Sequence, residues 1–475
     1  MEYEPVIGLE VHLHLKTKSK AFCSCPIEFG NEPNSQVCPV CLGFPGSLPV
    51  LNKTALEYSI KVGLALNCII QEYTKFDRKH YYYPDLPKNY QISQYDLPIS
   101  KDGFLDIIVD GKIKRVNIRR AHLEEDAGKL IHKDDVTLVD YNRAGIPLLE
   151  IVSEPDMNSP QEAYEYLNKL KSIIEYLDVS DCDMEKGSLR CDANISLREK
   201  GSNGLGIKTE LKNMNSFKAV KDALSFEIKR QADLLDDGEK IIQDTRLWNT
   251  LVLKTLPMRV KEEAKDYRYF PEPDLPLFII NQDKIAEIKK EIPELPEEKA
   301  LRFQKEYNIL EYDSRILVIS KKGALYAEEC LKAYPGKDKK PVVNWLIGPL
   351  LSEANSRNCN ISELKISAKD LIELIGFVER QEISNLSAKS VLTEIISAQK
   401  SAAAVIAEKN LLQVSDVSGL ENYIIEVIKE NSRTVNDYKN GKENSLMFLV
   451  GQVMKKSQGK ANPKVAHDML KRRLV

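Results

Sequence analysis

Residues Val6 to Leu15 constrain the fold more than any other stretch. Ile7, Leu9, Val11, Leu13 and Leu15 alternate with Gly8, Glu10, His12 and His14, and a period of two is that of a strand with one buried face. Glu10 and His12 therefore point the same way, either to water or to a bound metal. The alternation returns at Leu189 to Leu197, which puts Asp192 and Asn194 on one face, and at Lys208 to Lys212, where Glu210 lies between two lysines.

Two further segments place acids where they need partners. Gly145 to Val152 is apolar except for Glu150, and a carboxylate is costly to bury there unless it is paired or ligates a metal. Glu124, Glu125 and Asp126 are consecutive and repel one another unless cations or a metal sit nearby; Arg119 and Arg120 offer one solution. Each acid alone reads as a solvated carboxylate. Together, Glu10, His12, Glu124, Glu150, Asp192 and Glu210 describe a sheet with an acidic face and one imidazole, a donor set suited to magnesium or manganese rather than zinc. That points to phosphoryl transfer.

Nine cysteines are present, four of them as Cys23-Ser24-Cys25 and Cys38-Pro39-Val40-Cys41. Close thiolate pairs on Pro/Gly turns can close a tetrahedral zinc site, whose four sulfurs leave no open position for catalysis. The start of the chain has neither a basic segment nor an apolar h-region, so zinc is favoured over disulfides and a cytoplasmic enzyme is expected. No apolar run approaches the roughly 20 residues of a membrane helix.

Lys75 to Gln91 mixes Lys75, Arg78 and Lys79 with Tyr81, Tyr82, Tyr83 and Tyr90. Such a loop can hold phosphate and stack on a base, or it is a Tyr-rich structural turn. A second charged and aromatic loop runs from Lys261 to Pro276. Gly201 to Thr209 is close to a P-loop, but one residue intervenes between the second glycine and Lys208, so it reads as a Gly-rich hairpin turn.

Helices interleave with these strands, one capped by Ser159 with Pro160 and Glu162 and running through Leu177, another from about Ser216 to Asp236. At 475 residues the chain has room for about three domains of roughly 150 residues. Strand alternation ends near residue 294 and helical spacing takes over. The expected layout is α+β, with domains at 1–293, 294–407 and 408–475. The last 37 residues carry nine Lys/Arg against Glu443 and Asp468, leaving a net charge of −10 on the rest of a chain whose total is −3. Lys455, Lys456 and Lys460 complement a helix C-terminus, whereas Lys464, Lys471, Arg472 and Arg473 point to a phosphate backbone.

Taken together, Gly8 to His12, Lys75 to Lys79, His122 to Lys129, Gly187 to Ser196, Glu210 to Asn213, Asp266 to Pro276 and Gly441 to Pro463 resemble, in order and along essentially the whole chain, the B subunits of tRNA-dependent amidotransferases. The resemblance implies a kinase-like cradle with an antiparallel sheet and flanking helices, then an all-α domain and a small all-α tail that binds tRNA through Lys455, Lys456, Lys460 and Lys464. It implies partners, an amidase subunit that supplies ammonia and a small third subunit, and as substrate Glu-tRNA(Gln), Asp-tRNA(Asn) or both. The side-chain carboxylate is then phosphorylated with ATP and Mg2+, and phosphate is replaced by ammonia. Carried over by position, His12, Glu124 and Glu150 form one magnesium environment. Glu10, Asp192 and Glu210 form another beside the reacting groups, and Glu125 is an alternative or bridging ligand, while the loop cations Lys75, Arg78 and Lys79 are the candidates, from composition alone, to meet ATP or phosphate. A zinc-containing RNA-binding scaffold and a metal-dependent phosphohydrolase are the competing readings.

Overall fold

The computed structural model describes residues 2–474 except 203, 261–266, 413–416, 458–460 and 462, with backbone only at 259–260 and 417–419. Two compact units divide between Leu295 and Pro296.

The first unit is built on β1 (Tyr3–His14), β2 (Ile69–Ile70), β3 (Tyr73–Thr74), β4 (Asp77–His80), β5 (Tyr90–Ser93), β6 (Ser100–Val109), β7 (Lys112–Glu125) and β8 (Lys129–Lys133). It continues with β9 (Val136–Asp140), β10 (Pro147–Ser153), β11 (Leu189–Glu199), β12 (Thr209–Lys212), β13 (Asp244–Asn249), β14 (Lys254–Val260), β15 (Phe270–Pro271) and β16 (Phe278–Ile279). Nine of these strands form one sheet in the order β14-β13-β12-β11-β1-β10-β7-β6-β2, while β15-β4-β5, β16-β3 and β8-β9 form small ribbons. The opening strand of the sequence thus lies at the centre of the large sheet.

One face of that sheet is the core. Ile7, Leu9, Val11 and Leu13 are at most 1% exposed and join Leu149, Ile151, Ala193, Ile195 and Leu123 from the neighbouring strands in one cluster. Side chains alternate across a strand, so burying these positions commits Glu10 and His12 to the other face. The helices α1 (Lys53–Ala65), α2 (Pro160–Leu177) and α3 (Phe217–Asp236) contribute to the same cluster through Val62, Tyr166, Leu170, Val220 and Leu224. Ser159 caps α2 by accepting from Glu162 N at 3.2 Å, and Ser216 caps α3 by accepting from Ala219 N at 3.0 Å, each satisfying a backbone donor that the first turn leaves open.

The sheet is mixed rather than antiparallel: β12 and β13 run parallel. The reason is the crossover. α3 intervenes between the two strands and returns the chain to the same end of the sheet, as a βαβ connection requires.

The second unit is helical from Pro296–Tyr307 onward among its described residues. Its last helices, Val417–Glu430, Ser432–Lys439, Asn444–Lys456 and Pro463–Leu474, gather around Leu420, Ile424, Val427, Leu449, Val453 and Leu470. No helix among the described residues is long and apolar enough to cross a membrane.

Candidate active site and thiolate centre

Pairing register assembles the polar face. Antiparallel partners put their side chains on the same side, and β1 sets Glu10 opposite Asp192 of β11 and His12 opposite Glu150 of β10. β10 in turn sets Glu150 opposite His122 of β7 and Leu148 opposite Glu124, while Asn194 faces Glu210 of β12. Residues as distant in sequence as Glu10 and Asn194 become neighbours by the ladder alone.

The first predicted ligand group converges. His12, Glu124 and Glu150 each offer a donor atom within 4.8 Å of the others. His12 Nε2 is 3.4 Å from Glu150 Oε2, and His122 Nε2 lies 3.5 Å from the same oxygen and 3.8 Å from Glu124 Oε2. Burial by itself would lower the His12 pKa, but the hydrogen bond and charge of Glu150 push it up to about 9. Burial likewise works against the Glu150 charge, and His122 and then His12 hold that carboxyl well below its usual range. Ser93 Oγ donates to Glu124 Oε2 at 3.1 Å. The His122 Nδ1 atom is buried without a hydrogen-bond partner. One imidazole and two carboxylates around a common point fit a hard divalent cation. His122 is not among the sequence candidates, although its alternation with Glu124 places it on this face.

The second predicted group does not converge. Glu10, Asp192 and Glu210 are absent from the ligand clusters found among the described residues, because a lysine occupies the space between two of them. Lys212 Nζ donates to Asp192 and lies 3.2 Å from Glu210 Oε1. Glu210 also accepts from Thr245 Oγ1 at 2.9 Å, and Glu10 accepts from Asn194 Nδ2 at 2.9 Å. Burial, followed by the charges of Glu150 and Asp192, raises the Glu10 pKa.

Glu125 is the clearest correction. Being adjacent to Glu124 on β7, it projects from the opposite side, where its carboxylate accepts from Lys88 and from Ile92 N at 2.9 Å. It therefore does not bridge the first group. Asp126 serves a different purpose. It accepts from His14 Nε2 at 2.6 Å and Arg190 Nη2 at 2.8 Å, with Arg143 Nε at 3.4 Å. Burial would raise its pKa, but Arg190, His14 and Arg143 hold it far below the usual carboxylate range. This knot ties the ends of β1, β7 and β11 together and gives His14 its structural role.

Of the three phosphate candidates on and beside β4, two are occupied by the chain's own acids. Lys75 Nζ contacts Asp77 at 2.8 Å and Asp96 at 2.7 Å. Arg78 makes a two-pronged pair with Glu272, 2.8 Å on each prong, and reaches Asp274 at 3.2 Å. Lys79 points elsewhere. Burial disfavours its charge, but Glu124, Tyr269 and Glu150 together raise its pKa, and its Nζ stands 5.7 Å from the Tyr81 ring centroid and 5.2 Å from that of Tyr267. Tyr95 and Tyr269 stack nearby with centroids 4.2 Å apart. Part of the second aromatic loop, 261–266, lies outside the described residues.

Beside Glu10 opens a cleft of about 230 Å³ lined by Val6, Gly8, Asn194, Leu205, Gly206 and Lys208, among others. A Cβ on Gly206 would stand 2.1 Å from the Leu197 carbonyl oxygen, so only glycine lets this segment close on β11. Lys208 is exposed and has no acidic partner among the described residues. The Gly-rich segment that fails the P-loop spacing thus borders the face that carries Glu10.

The four cysteines gather as a second cluster, all sulfurs within 4.8 Å. Cys38 and Cys41 Sγ are 3.9 Å apart, close to the edge of about 3.8 Å that a tetrahedron with 2.3 Å zinc–sulfur bonds requires. A hydrogen bond from the Cys23 thiol, aided by Cys38 and Lys20 against burial, lowers the Cys41 pKa. The donor set fits a zinc ion.

In the tail, Lys455 is exposed near the end of its helix, and Lys464 opens the next. Lys456, named with them as a tRNA contact, is paired with Glu426 at 2.6 Å and Glu430 at 2.7 Å. Lys460 lies outside the described residues.

A mixed sheet with an imidazole–carboxylate face, a tetracysteine cluster on the same unit and a helical unit after it define an α+β protein with two side-chain groups whose donors could hold a metal ion. Residues 5–286 match a family model described as the GatB/GatE catalytic domain, and residues 325–474 match one described as the GatB domain. The chain is 52% identical to the B subunit of the aspartyl/glutamyl-tRNA(Asn/Gln) amidotransferase of Carboxydothermus hydrogenoformans, covering 100% of this chain and 99% of that one. It is 53% identical to the protein of the same name from Thermoanaerobacter pseudethanolicus, with 100% of both chains covered, and 51% identical to that of Persephonella marina, with 99% of each covered. The chain belongs to the family of aminoacyl-tRNA amidotransferase B subunits, a family of ligases.

Proposed function

We propose that this chain is the kinase and transamidase subunit of a glutamine-hydrolysing, ATP-dependent aminoacyl-tRNA amidotransferase. It converts Glu-tRNA(Gln), Asp-tRNA(Asn) or both to the corresponding amides, within a heterotrimer that includes an amidase and a small third subunit. The observation that carries this reading is the convergence of His12, Glu124 and Glu150 on a face that continues to Glu10 through the β1 ladder. These three would hold Mg2+, which when bound neutralises phosphate charge. The charges of Glu124 and, less, Glu150 favour the ammonium form of Lys79 against its burial. Glu10, whose neighbours disfavour its ionisation, and the Lys212-anchored pair Asp192 and Glu210 orient the reacting groups rather than form a second metal site. The kinase-like description of the cradle rests on this division of labour.

The nucleotide is read into the cleft beside Glu10 rather than against Lys75 and Arg78. Apolar Val6 and Leu205 suit a base, and Lys208 suits the phosphates. Replacing Lys208 with alanine is expected to raise the KM for ATP by roughly 10- to 100-fold, the worth of one hydrogen bond to a charged group, with kcat little changed. Steady-state kinetics at saturating tRNA test this; an unchanged KM would remove ATP from the cleft.

The tail is the RNA-facing part, carried by Lys455 and Lys464. Removing residues after 408 is expected to weaken tRNA binding and flatten its salt dependence; unchanged affinity across a salt series would refute that role. The tetracysteine cluster is a structural zinc site. The family and the donor sets together favour an enzyme over a passive RNA scaffold.

A further inference from the structure

Lys20, whose charge already acts on Cys41, is itself a buried cation. Its side chain is 0% exposed, and an ammonium taken out of water is strongly disfavoured unless a negative group answers it. No carboxylate pairs with it among the described residues. Glu125, which lines the same cavity, is taken by Lys88 and Ile92 N. The contacts Lys20 does make are unusual for a lysine: its Nζ donates to Cys41 Sγ at 3.6 Å and to the Tyr141 carbonyl at 3.2 Å.

The chain around it is built to hold that position. Lys20 N donates to Cys25 O at 2.9 Å, and Ala21 N donates to Gly145 O at 2.8 Å. Gly145 adopts φ +87°, and a Cβ there would stand 3.3 Å from Lys20 Cδ, so the glycine leaves room for the lysine stem. Cys41 Sγ accepts a second donor, Cys38 N, at 3.2 Å.

We propose that Lys20 is the charge-compensating residue of the tetracysteine centre, a positioning residue that sets how firmly zinc is held. The proposal rests on the zinc reading given above. Zn2+ with four thiolates carries a double negative charge, and a buried ammonium against one of the sulfurs offsets part of it. The N–H···S bond also draws electron density from Cys41, which slows protonation or electrophilic attack on that sulfur and so its departure from the metal when a chelator competes for zinc. Partners one layer beyond the metal ligands commonly change metal affinity by roughly 10- to 100-fold.

The test uses the full chain with its co-expressed partner subunits, purified reduced. Zinc per chain is measured by elemental analysis, and the rate of zinc transfer to a chromophoric chelator is followed for Lys20→Met, Lys20→Arg and each change in a Cys41→Ser background. Lys20→Met is expected to release zinc at least tenfold faster, Lys20→Arg to stay near the wild-type rate, and Lys20→Met to add little once Cys41 is serine. A wild-type rate in Lys20→Met overturns the proposal, as does an equal acceleration in both backgrounds, which marks a packing role. If the methionine variant does not fold, Lys20→Gln removes the charge while keeping a donor for Tyr141 O and is read in the same way. Near-zero zinc in the wild-type protein overturns the zinc reading itself, whereas one zinc per wild-type chain with an unaffected Lys20→Met overturns only the role of Lys20.

Discussion

Glu150→Ala is expected to lower amide formation by on the order of 10³-fold, the several kcal/mol that a charge-stabilising metal supplies. The change removes one of three donors from the His12, Glu124 and Glu150 group and also the acceptor that His12 and His122 share. Glutamine hydrolysis by the proposed amidase partner should be spared, since the proposed function places that chemistry on the other subunit. Glu150→Gln, which keeps the shape without the charge, should fall nearly as far and should require more magnesium for whatever activity remains. Amide formation within tenfold of wild type in both variants would detach the metal reading from this face.

Asp126→Ala should be the most destabilising single change on the polar side of the sheet, by about 3–5 kcal/mol, the cost of stripping a buried charge network of its shared partner. It leaves Arg190 and His14 without their acceptor and loosens Arg143. The pH dependence follows from the direction of the shift. Asp126 is held below its unfolded value of about 3.9, so its contribution is fully present above that pH and is lost progressively as the solution is acidified. Asp126→Asn should therefore show a weaker acid dependence than wild type. Urea unfolding followed through Trp248, with Trp345 replaced by phenylalanine, reports on the first unit. A loss below about 1 kcal/mol would show that the knot does not hold the strand ends.

How much of this was legible in the sequence depends on whether partners lie along the chain or across it. The two-residue period of β1 and β11 fixed which side chains share a face, and in the same way Glu124 and Glu125, as consecutive strand residues, had to part. Treating Glu125 as a bridging ligand overlooked that alternation. Pairings across the ladder were not legible: Asp126 meets Arg190 64 residues away, and Arg78 meets Glu272 194 residues away. Local composition named Arg78 for phosphate and Lys456 for tRNA without revealing their acids, Glu272 and Glu426, which come from distant segments. The parallel β12–β13 pair was legible in principle, since a strand, a long helix and another strand follow one another there. The Gly-rich segment at 201–209 failed the P-loop spacing, and its use came instead from β11, whose Leu197 carbonyl demands Gly206.

The most direct test of the proposed chemistry follows an oxygen atom. Glutamate with 18O in both side-chain carboxylate oxygens, charged on tRNA(Gln), is given to the purified complex with ATP, Mg2+ and an ammonium salt as nitrogen source. If the carboxylate is phosphorylated and phosphate is then displaced by ammonia, one carboxylate oxygen leaves with the phosphate and the other stays in the amide. Mass spectrometry should find one 18O in each phosphate released per amide formed. Amide formation accompanied by unlabelled phosphate would contradict carboxylate activation at this site.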